Sequence, residues 1–485
     1  MKKKLVVGLL CFVFAAGLGW LGVQFFTHTG LFKIPGIVRF SESFPDSEAA
    51  EIQALFDPPE VELDKDITFS KFVADAPSTA PNAYLLEIYV PTADFYESQN
   101  TISAAEFDAL FSERNPSVIK LDALDSTRKL LAVDGAYFLD TFASGAKFEY
   151  LRVEGESEAD LELVNTLLAP KLKTFPDQTS VLTFAQTGVT ALARRVNTKL
   201  DQVGSATYFS EALAPFLSKF DFTHTSNEAS FSSQASGSNI CSRWEFVDAL
   251  TALDVNVVEL TGNHNLDCGA QAALDTLTRY ADLGIKTVGG GRNAEDAATP
   301  LELAQKDTKI TFFAYNQSTG GATLGDTPGA NQYYPEDAQA RISAAKSRGD
   351  FVIVDIQYYE CSEYDYSYEN TFCDHANSSA GDQIGVFRSL IDMGADLVVG
   401  TSAHQPQTFE RYGSGAIYYG LGNLFFDQSW WPGTTRSLGL VHYFYQGKLL
   451  QTRRFGTVYD DSYQTRLMDD AELVSFIARL NEARP

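Results

Sequence analysis

Imidazole and thiol groups are scarce in this sequence: 485 residues contain six histidines, five cysteines and three methionines. No two cysteines form a Cys-x-x-Cys knuckle, which weakens the case for a zinc site made from the cysteines. The triple glycine Gly289-Gly290-Gly291 is not followed by Gly-Lys-Ser or Gly-Lys-Thr, so it is no phosphate-cradling loop. There is no nucleophile elbow of the Gly-x-Ser-x-Gly kind. Basic residues are also few, 37 against 63 acidic, for a net charge of -26. That balance excludes the nucleic-acid backbone as a partner, because no counterion release would drive binding. An anionic partner would need a local basic patch or a bridging cation. Internal repeats and low-complexity tracts are absent.

The first 27 residues read as a targeting element. Lys2, Lys3 and Lys4 precede an uncharged, mostly apolar run from Leu5 to Phe26, long enough to span a bilayer. A cleaved signal at Ala15-Ala16-Gly17 is the alternative, but the run continues well past it. The basic flank predicts a single-pass anchor at the cell membrane, with the bulk of the chain extracytoplasmic. In that compartment Cys241, Cys268, Cys361 and Cys373 form an even set suited to disulfides. Cys361 and Cys373 bracket one polar loop and are the first choice of pair. Cys241 with Cys268 is a second pair, and four cysteines allow three pairings.

Further along, residues 28–80 are acidic and turn-rich and read as a linker or lead-in. Residues 81–176 read as a small α/β domain. Tyr84–Val90 and Phe148–Val153 are strand candidates, and Ser103 with Glu106 forms a capping box for a helix from Ala104. Residues 177–457 alternate strands with helical patterns and read as a large layered α/β domain. Residues 458–485 read as an acidic helix and tail.

The large domain carries the chemistry. Val257-Val258-Glu259-Leu260-Thr261-Gly262-Asn263-His264 runs from an apolar strand into a polar loop, which continues to Asp267 and Gly269 before a helix from Ala270. Open α/β sheets place their active groups on such loops. A second polar loop, Gly400-Thr401-Ser402-Ala403-His404-Gln405-Pro406, follows the strand Asp396–Val399. A third motif, Gly420-Leu421-Gly422-Asn423-Leu424-Phe425-Phe426-Asp427-Gln428, lies downstream.

Together these motifs, spread over about residues 180–455, resemble the calcineurin-like metallophosphoesterases. The form Gly-Asn-His-x-x-Asp-x-Gly is similar to their CapA branch, the bacterial capsule and poly-gamma-glutamate biosynthesis proteins. The resemblance implies a four-layer αββα sandwich, preceded here by the small α/β domain and the anchor. It also implies a role in surface-polymer synthesis, retention or export, with an anionic or glycan polymer and a synthase or export complex as partners. Its implied catalytic set is His264, Asp267, Glu228 and His404. Its implied substrate-binding set is Arg194, Asn227, Asn263, Gln405, Asn423 and Asp427, with Arg194 available to balance Glu228.

Three positions depart from the family pattern. Val189 stands where an aspartate bridges two metals, Gln357 where a histidine is usual, and Ser402 at the first histidine of a His-x-His pair. No confident cofactor follows. One divalent ion on Glu228, Asn263, His264 and His404 is the most that the remaining ligands could hold. A degenerate site is therefore the leading expectation. An active hydrolase on a phosphoester or polymer amide bond and a non-catalytic polymer-binding scaffold are its alternatives.

Overall fold

The structure, a computed structural model, describes residues 36–358 and 382–485 apart from 42, 43, 59, 60, 62, 174, 175, 319, 324 and 431. The expected membrane anchor, the Cys361–Cys373 pair and the tyrosine-rich loop at 363–369 lie outside the described residues. Among the described residues, no helix is long and apolar enough to cross a membrane.

The described chain divides into two compact units. The first comprises the described residues up to Val90 together with Val118–Asp122 and Thr141–Pro176. Its sheet runs in the order Val38–Phe40, Ile67–Ala74, Lys147–Gly155, Ala83–Asp94, Val118–Lys120. The segment 28–80, expected to be a lead-in, supplies the first two of these strands and the helix Asp46–Gln53. Phe44, Ile52, Phe56, Leu63, Ile67 and Phe69 from this segment are buried with Leu151, Val153 and Val164. These apolar residues are spaced singly among acids and prolines, so no clear period announces them.

The second unit contains Pro91–Ser117, Ala123–Asp140 and Asp177–Pro485. The expected capping box is present: the Ser103 side chain accepts from Glu106 N, and the Glu106 carboxylate accepts from Ser103 N at 2.8 Å. Residues 91–117 and 123–140 group here through contacts distant in sequence. Gln451 Oε1 accepts from Leu130 N at 2.9 Å, and its Nε2 donates to Arg128 O at 2.9 Å.

Two sheets dominate this unit. Strands of the first are β1 (Leu182–Thr190), β2 (Phe222–Asn227), β3 (Val257–Glu259) and β4 (Lys286–Val288). The second sheet holds β5 (Leu301–Gln305), β6 (Thr308–Asn316), β7 (Phe351–Gln357), β8 (Leu397–Thr401), β9 (Phe409–Tyr412) and β10 (Gly415–Tyr418). The chain then returns to the first sheet with β11 (Asn423–Phe425), β12 (Arg436–Tyr445), β13 (Lys448–Val458) and β14 (Arg466–Leu467).

The first sheet has the order β4-β3-β2-β1-β12-β13-β14, with β11 also paired to β1. β1 to β4 are mutually parallel, and β12 closes antiparallel on β1. β12 is thus an interior strand. The second sheet has the order β5-β6-β7-β8-β10-β9, with β6, β7, β8 and β10 parallel.

Alternation along β6 shows how the layers form. Phe312 and Ala314 enter a core that also contains Phe184 of β1, Phe222 of β2 and Leu440 of β12. Phe313 and Tyr315 point to the opposite face, where they meet Ile342 and Phe387. Those two residues belong to the helices α1 (Pro335–Ser347) and α2 (Gln383–Asp392). The two sheets therefore share one apolar layer, and the second sheet carries helices on its other face. The acidic C-terminal stretch is no loose tail. Its helix Asp470–Glu482 buries Leu473, Phe476, Ile477 and Leu480 in the shared core. Two short helical segments, Ala206–Phe209 and Ala214–Leu217, lie between β1 and β2, the second with Pro215 in its first turn.

Candidate functional site

The candidate residues gather where parallel strands of both sheets end at their carboxyl sides. β1 leads to Arg194, β2 to Glu228, β3 to Asn263 and His264, β7 to Gln357, and β8 to Ser402 and His404. β11 begins with Asn423, which stands beside Val189 of β1. Two glycines permit this convergence. A Cβ on Gly262 would lie 2.6 Å from Glu228 Cα, and one on Gly188 would lie 2.0 Å from Gly422 O. Both contacts are too close for any side chain.

At the centre, His404 Nδ1 is 2.8 Å from Asn423 Oδ1, and Asn423 Nδ2 donates to Thr434 O at 3.0 Å. On its other side, His404 Nε2 faces Glu228 Oε2 at 3.9 Å. Glu228 is fully buried, and among the described residues neither carboxylate oxygen has a hydrogen-bond partner. Buried carboxylates are normally paired or hydrogen-bonded, so this one is free to accept from a donor brought into the site. Asn263 joins from the neighbouring loop, where its Oδ1 accepts from Gln357 Nε2 at 2.9 Å.

His264 is separate and more open. Its Nδ1 lies 2.8 Å from Asp267 Oδ2, and the two side chains are 25% and 39% exposed. A carboxylate in this position fixes the orientation of the ring. The pair can therefore serve as an oriented acid–base group.

Arg194 does not balance Glu228. Its Nε and Nη2 donate to Asp427 Oδ1 at 3.1 and 2.5 Å, and its guanidinium lies 4.5 Å from the Phe426 ring centre. Asp427 is thus committed to Arg194, and also accepts from Arg195 N at 3.3 Å. Arg194 itself sits at φ 51°, a left-handed conformation costly for arginine.

The Asn227 amide turns away from this cluster to donate to Tyr280 OH at 2.8 Å and Ala229 O at 3.2 Å. The strand period is the cause: consecutive residues alternate faces, so Asn227 and the following Glu228 point apart. Gln405 lines a groove of about 180 Å³ with Pro406, Arg436 and Arg479.

Val189 forms a small apolar cluster with Ala191 and Phe426. The Phe426 ring centre also lies 5.0 Å from that of His404. Hydrocarbon therefore surrounds Val189, the position where the resemblance implies a bridging carboxylate, and this apolar lining does not fit a pair of cations. Among the described residues, no three His, Cys, Asp or Glu side chains form a metal-holding group.

Between the sheets lies a second polar cluster that local sequence patterns did not assemble. His224 Nε2 is 3.1 Å from Asp355 Oδ2, and Gln186 Nε2 donates to Asp355 Oδ1 at 2.6 Å. Burial raises the pKa of Asp355, an effect opposed by His224. Burial, reinforced by Asp355, pushes Glu259 up to about 7. Burial, with help from His224, lowers His442 to about 3. Histidine and acid residues inside apolar strands were the available signal, but only the facing of two sheets brings them together.

One disulfide is described, Cys241–Cys268, with Cα atoms 6.0 Å apart. It ties the loop after β2 to the end of the His264 loop.

Comparison with known sequences fits this arrangement. The sequence profile of the family described as "Bacterial capsule synthesis protein PGA_cap" matches residues 183–428, half of the chain. The chain belongs to that family. The matched span starts in β1 and ends just after Asp427, so it encloses all ten candidate residues. Among relatives of this PGA_cap chain, the PGA biosynthesis protein CapA of Bacillus subtilis is 29% identical over 56% of this chain and 70% of its own. The capsule biosynthesis protein CapA of Bacillus anthracis is 25% identical over 54% of this chain and 63% of its own. A probable polyglutamine synthesis accessory protein of Mycobacterium tuberculosis is 31% identical over 37% of this chain and 48% of its own.

Proposed function

We propose that this chain is an accessory protein of capsule or poly-gamma-glutamate-type polymer synthesis, retention or export. Its site is a degenerate form of the metallophosphoesterase kind, within a calcineurin-like αββα sandwich. The observation that carries this reading is the buried line Glu228–His404–Asn423 beside the apolar Val189–Ala191–Phe426 cluster. The line keeps the polar groups of such a site, while the cluster removes the bridging carboxylate. An anionic or glycan polymer and a synthase or export complex are the partners that this reading assigns. The same reading places the chain at the cell membrane through its first 27 residues, with the bulk extracytoplasmic.

The second reading is an active hydrolase, favoured by one specific observation, the partly exposed His264–Asp267 pair at 2.8 Å. In that reading the pair moves a proton at the scissile bond of a phosphoester or polymer amide, and Glu228 and His404 hold the substrate.

Deletion of the gene, complemented by wild type, His264→Ala or Glu228→Gln, separates these possibilities. Surface polymer amount and chain length are measured. Deletion should reduce or lengthen the polymer, and unchanged polymer would refute the accessory role. Loss of rescue by both variants supports a site-dependent role. Full rescue by both leaves the scaffold role and excludes the hydrolase.

A further inference from the structure

The second unit contains a cavity of about 250 Å³ lined in part by Asn100, Lys129, Phe216, Arg454 and Leu473. It shares no residue with the Glu228–His404 cluster. Two of its lining groups are cationic and almost fully buried, Lys129 at 8% and Arg454 at 4% exposure. Among the described residues no carboxylate forms an ion pair with either. Lys129 Nζ donates to the backbone carbonyls of Glu97 at 2.9 Å and Gln99 at 2.6 Å. Arg454 Nη2 donates to Phe95 O at 2.5 Å, and its guanidinium lies 5.1 and 4.5 Å from the ring centres of Phe95 and Phe409.

Two donors in this wall remain unmatched. Arg454 Nη1 and Asn100 Nδ2 are shielded from solvent and have no hydrogen-bond partner. The Asn100 backbone is held in place, since its carbonyl accepts from Ala132 N at 2.9 Å. Other charges nearby do not fill the gap. Arg453 is paired with Asp140 at 3.1 Å, and Asp470 lines the cavity as an exposed residue. Glu97 acts on Lys129, and Asp94, Tyr96, Tyr137 and Tyr418 act on Arg454, only at Coulombic range. Burial and the adjacent Arg454 push the Lys129 ammonium down to about 6.

A buried guanidinium with a donor left over, beside a lysine whose charged form it disfavours, is a costly arrangement. A bound anion relieves both defects at once. Arginine and a neighbouring amide present N–H groups suited to a carboxylate. We infer that this cavity binds a small carboxylate anion, with Lys129 and Arg454 supplying charge and Asn100 a neutral donor. Phe216 and Leu473 give the apolar wall for a short aliphatic body, and the volume suits a small molecule better than a polymer stretch. A turn of the Arg454 and Asn100 side chains presents the unmatched donors.

The test is calorimetric titration of the purified full chain with sodium hexanoate and, separately, with sodium phosphate. Hexanoate should saturate at one equivalent and phosphate should not. Lys129→Met should weaken hexanoate binding by about tenfold or more. Asn100→Asp places a carboxylate inside the cavity, so it should raise the melting temperature and abolish hexanoate binding. Absence of saturable hexanoate binding to the wild type overturns the inference. Saturation by phosphate alone overturns the carboxylate assignment. An Asn100→Asp variant that melts lower and still binds hexanoate also overturns it.

Discussion

Gln357 Nε2 donates to Asn263 Oδ1 at 2.9 Å, linking the end of β7 to the Gly-Asn-His loop. The family resemblance implies a histidine at this position. Here the residue holds the loop amide by a neutral hydrogen bond. Asn263 is thereby partly used as a structural group, and a neutral amide replaces a strong ligand for transition metals. With Val189 apolar as well, dialysed protein should retain fewer than two equivalents of zinc, manganese or iron. Elemental analysis checks this. Two equivalents in the wild type, lost in His264→Ala, would falsify the degenerate site.

The Cys241–Cys268 bond closes a loop of 27 residues in sequence separation. Its removal in Cys268→Ser should destabilise the protein by roughly 3 kcal/mol, mainly by freeing the unfolded chain. Denaturant unfolding with and without reductant measures the difference. A non-reduced digest should also yield the linked peptides, and free thiols at both positions in protein from the envelope would show that the bond does not form there.

Arg194 is the partner that makes burial of Asp427 tolerable. The Asp427 side chain is 3% exposed, and Arg194 is its ion-pair partner at 2.5 Å. Arg194→Met leaves an uncompensated carboxylate and should lose roughly 2–4 kcal/mol. The double variant Arg194→Met with Asp427→Asn should recover a large part of that loss. A double variant no more stable than Arg194→Met would mean that the two side chains are not energetically coupled.

Glu259 should leave a pH signature opposite to that of most carboxylates. Its folded pKa is raised to about 7 from an ordinary 4.5, because burial and Asp355 disfavour the charge. Between these values the folded state holds more protons than the unfolded state, so stability falls as pH rises. The contribution is full below about pH 4.5 and is lost as pH passes through about 7. Its size is at most about 3 kcal/mol. Glu259→Gln should flatten this part of the stability profile relative to wild type. An unchanged slope from pH 5 to 7 would count against the raised pKa. His442 acts in the other direction. Its folded pKa is lowered to about 3, so its contribution is full above about 6.5 and is lost as pH falls. Comparing Glu259→Gln with wild type cancels that term.

Much of this protein is determined by the sequence alone. The alternation Phe312-Phe313-Ala314-Tyr315 separates two apolar layers before any partner is known, because successive side chains of a strand must point to opposite faces. The Gly262-Asn263-His264, His404 and Asn423 motifs lie after strands, where an α/β sheet gathers polar loops, and the family followed from their order. Composition could not show that the acid-rich residues 36–80 carry sheet strands, since isolated apolar residues have no period until a partner strand is present.

Tertiary structure alone decided which polar atoms meet. Asn227 is turned towards Tyr280, Arg194 reaches Asp427 and not Glu228, and His404 engages Asn423. His224 and Asp355 are 131 positions apart in the chain and 3.1 Å apart in space. Hydrogen bonds and ion pairs act over a few ångströms and require direction, whereas sequence patterns report only which face a side chain takes. Facing is set locally by the backbone period. Partnership is set by how two sheets and their loops pack, and that packing brought Val189, Ala191 and Phe426 together beside His404.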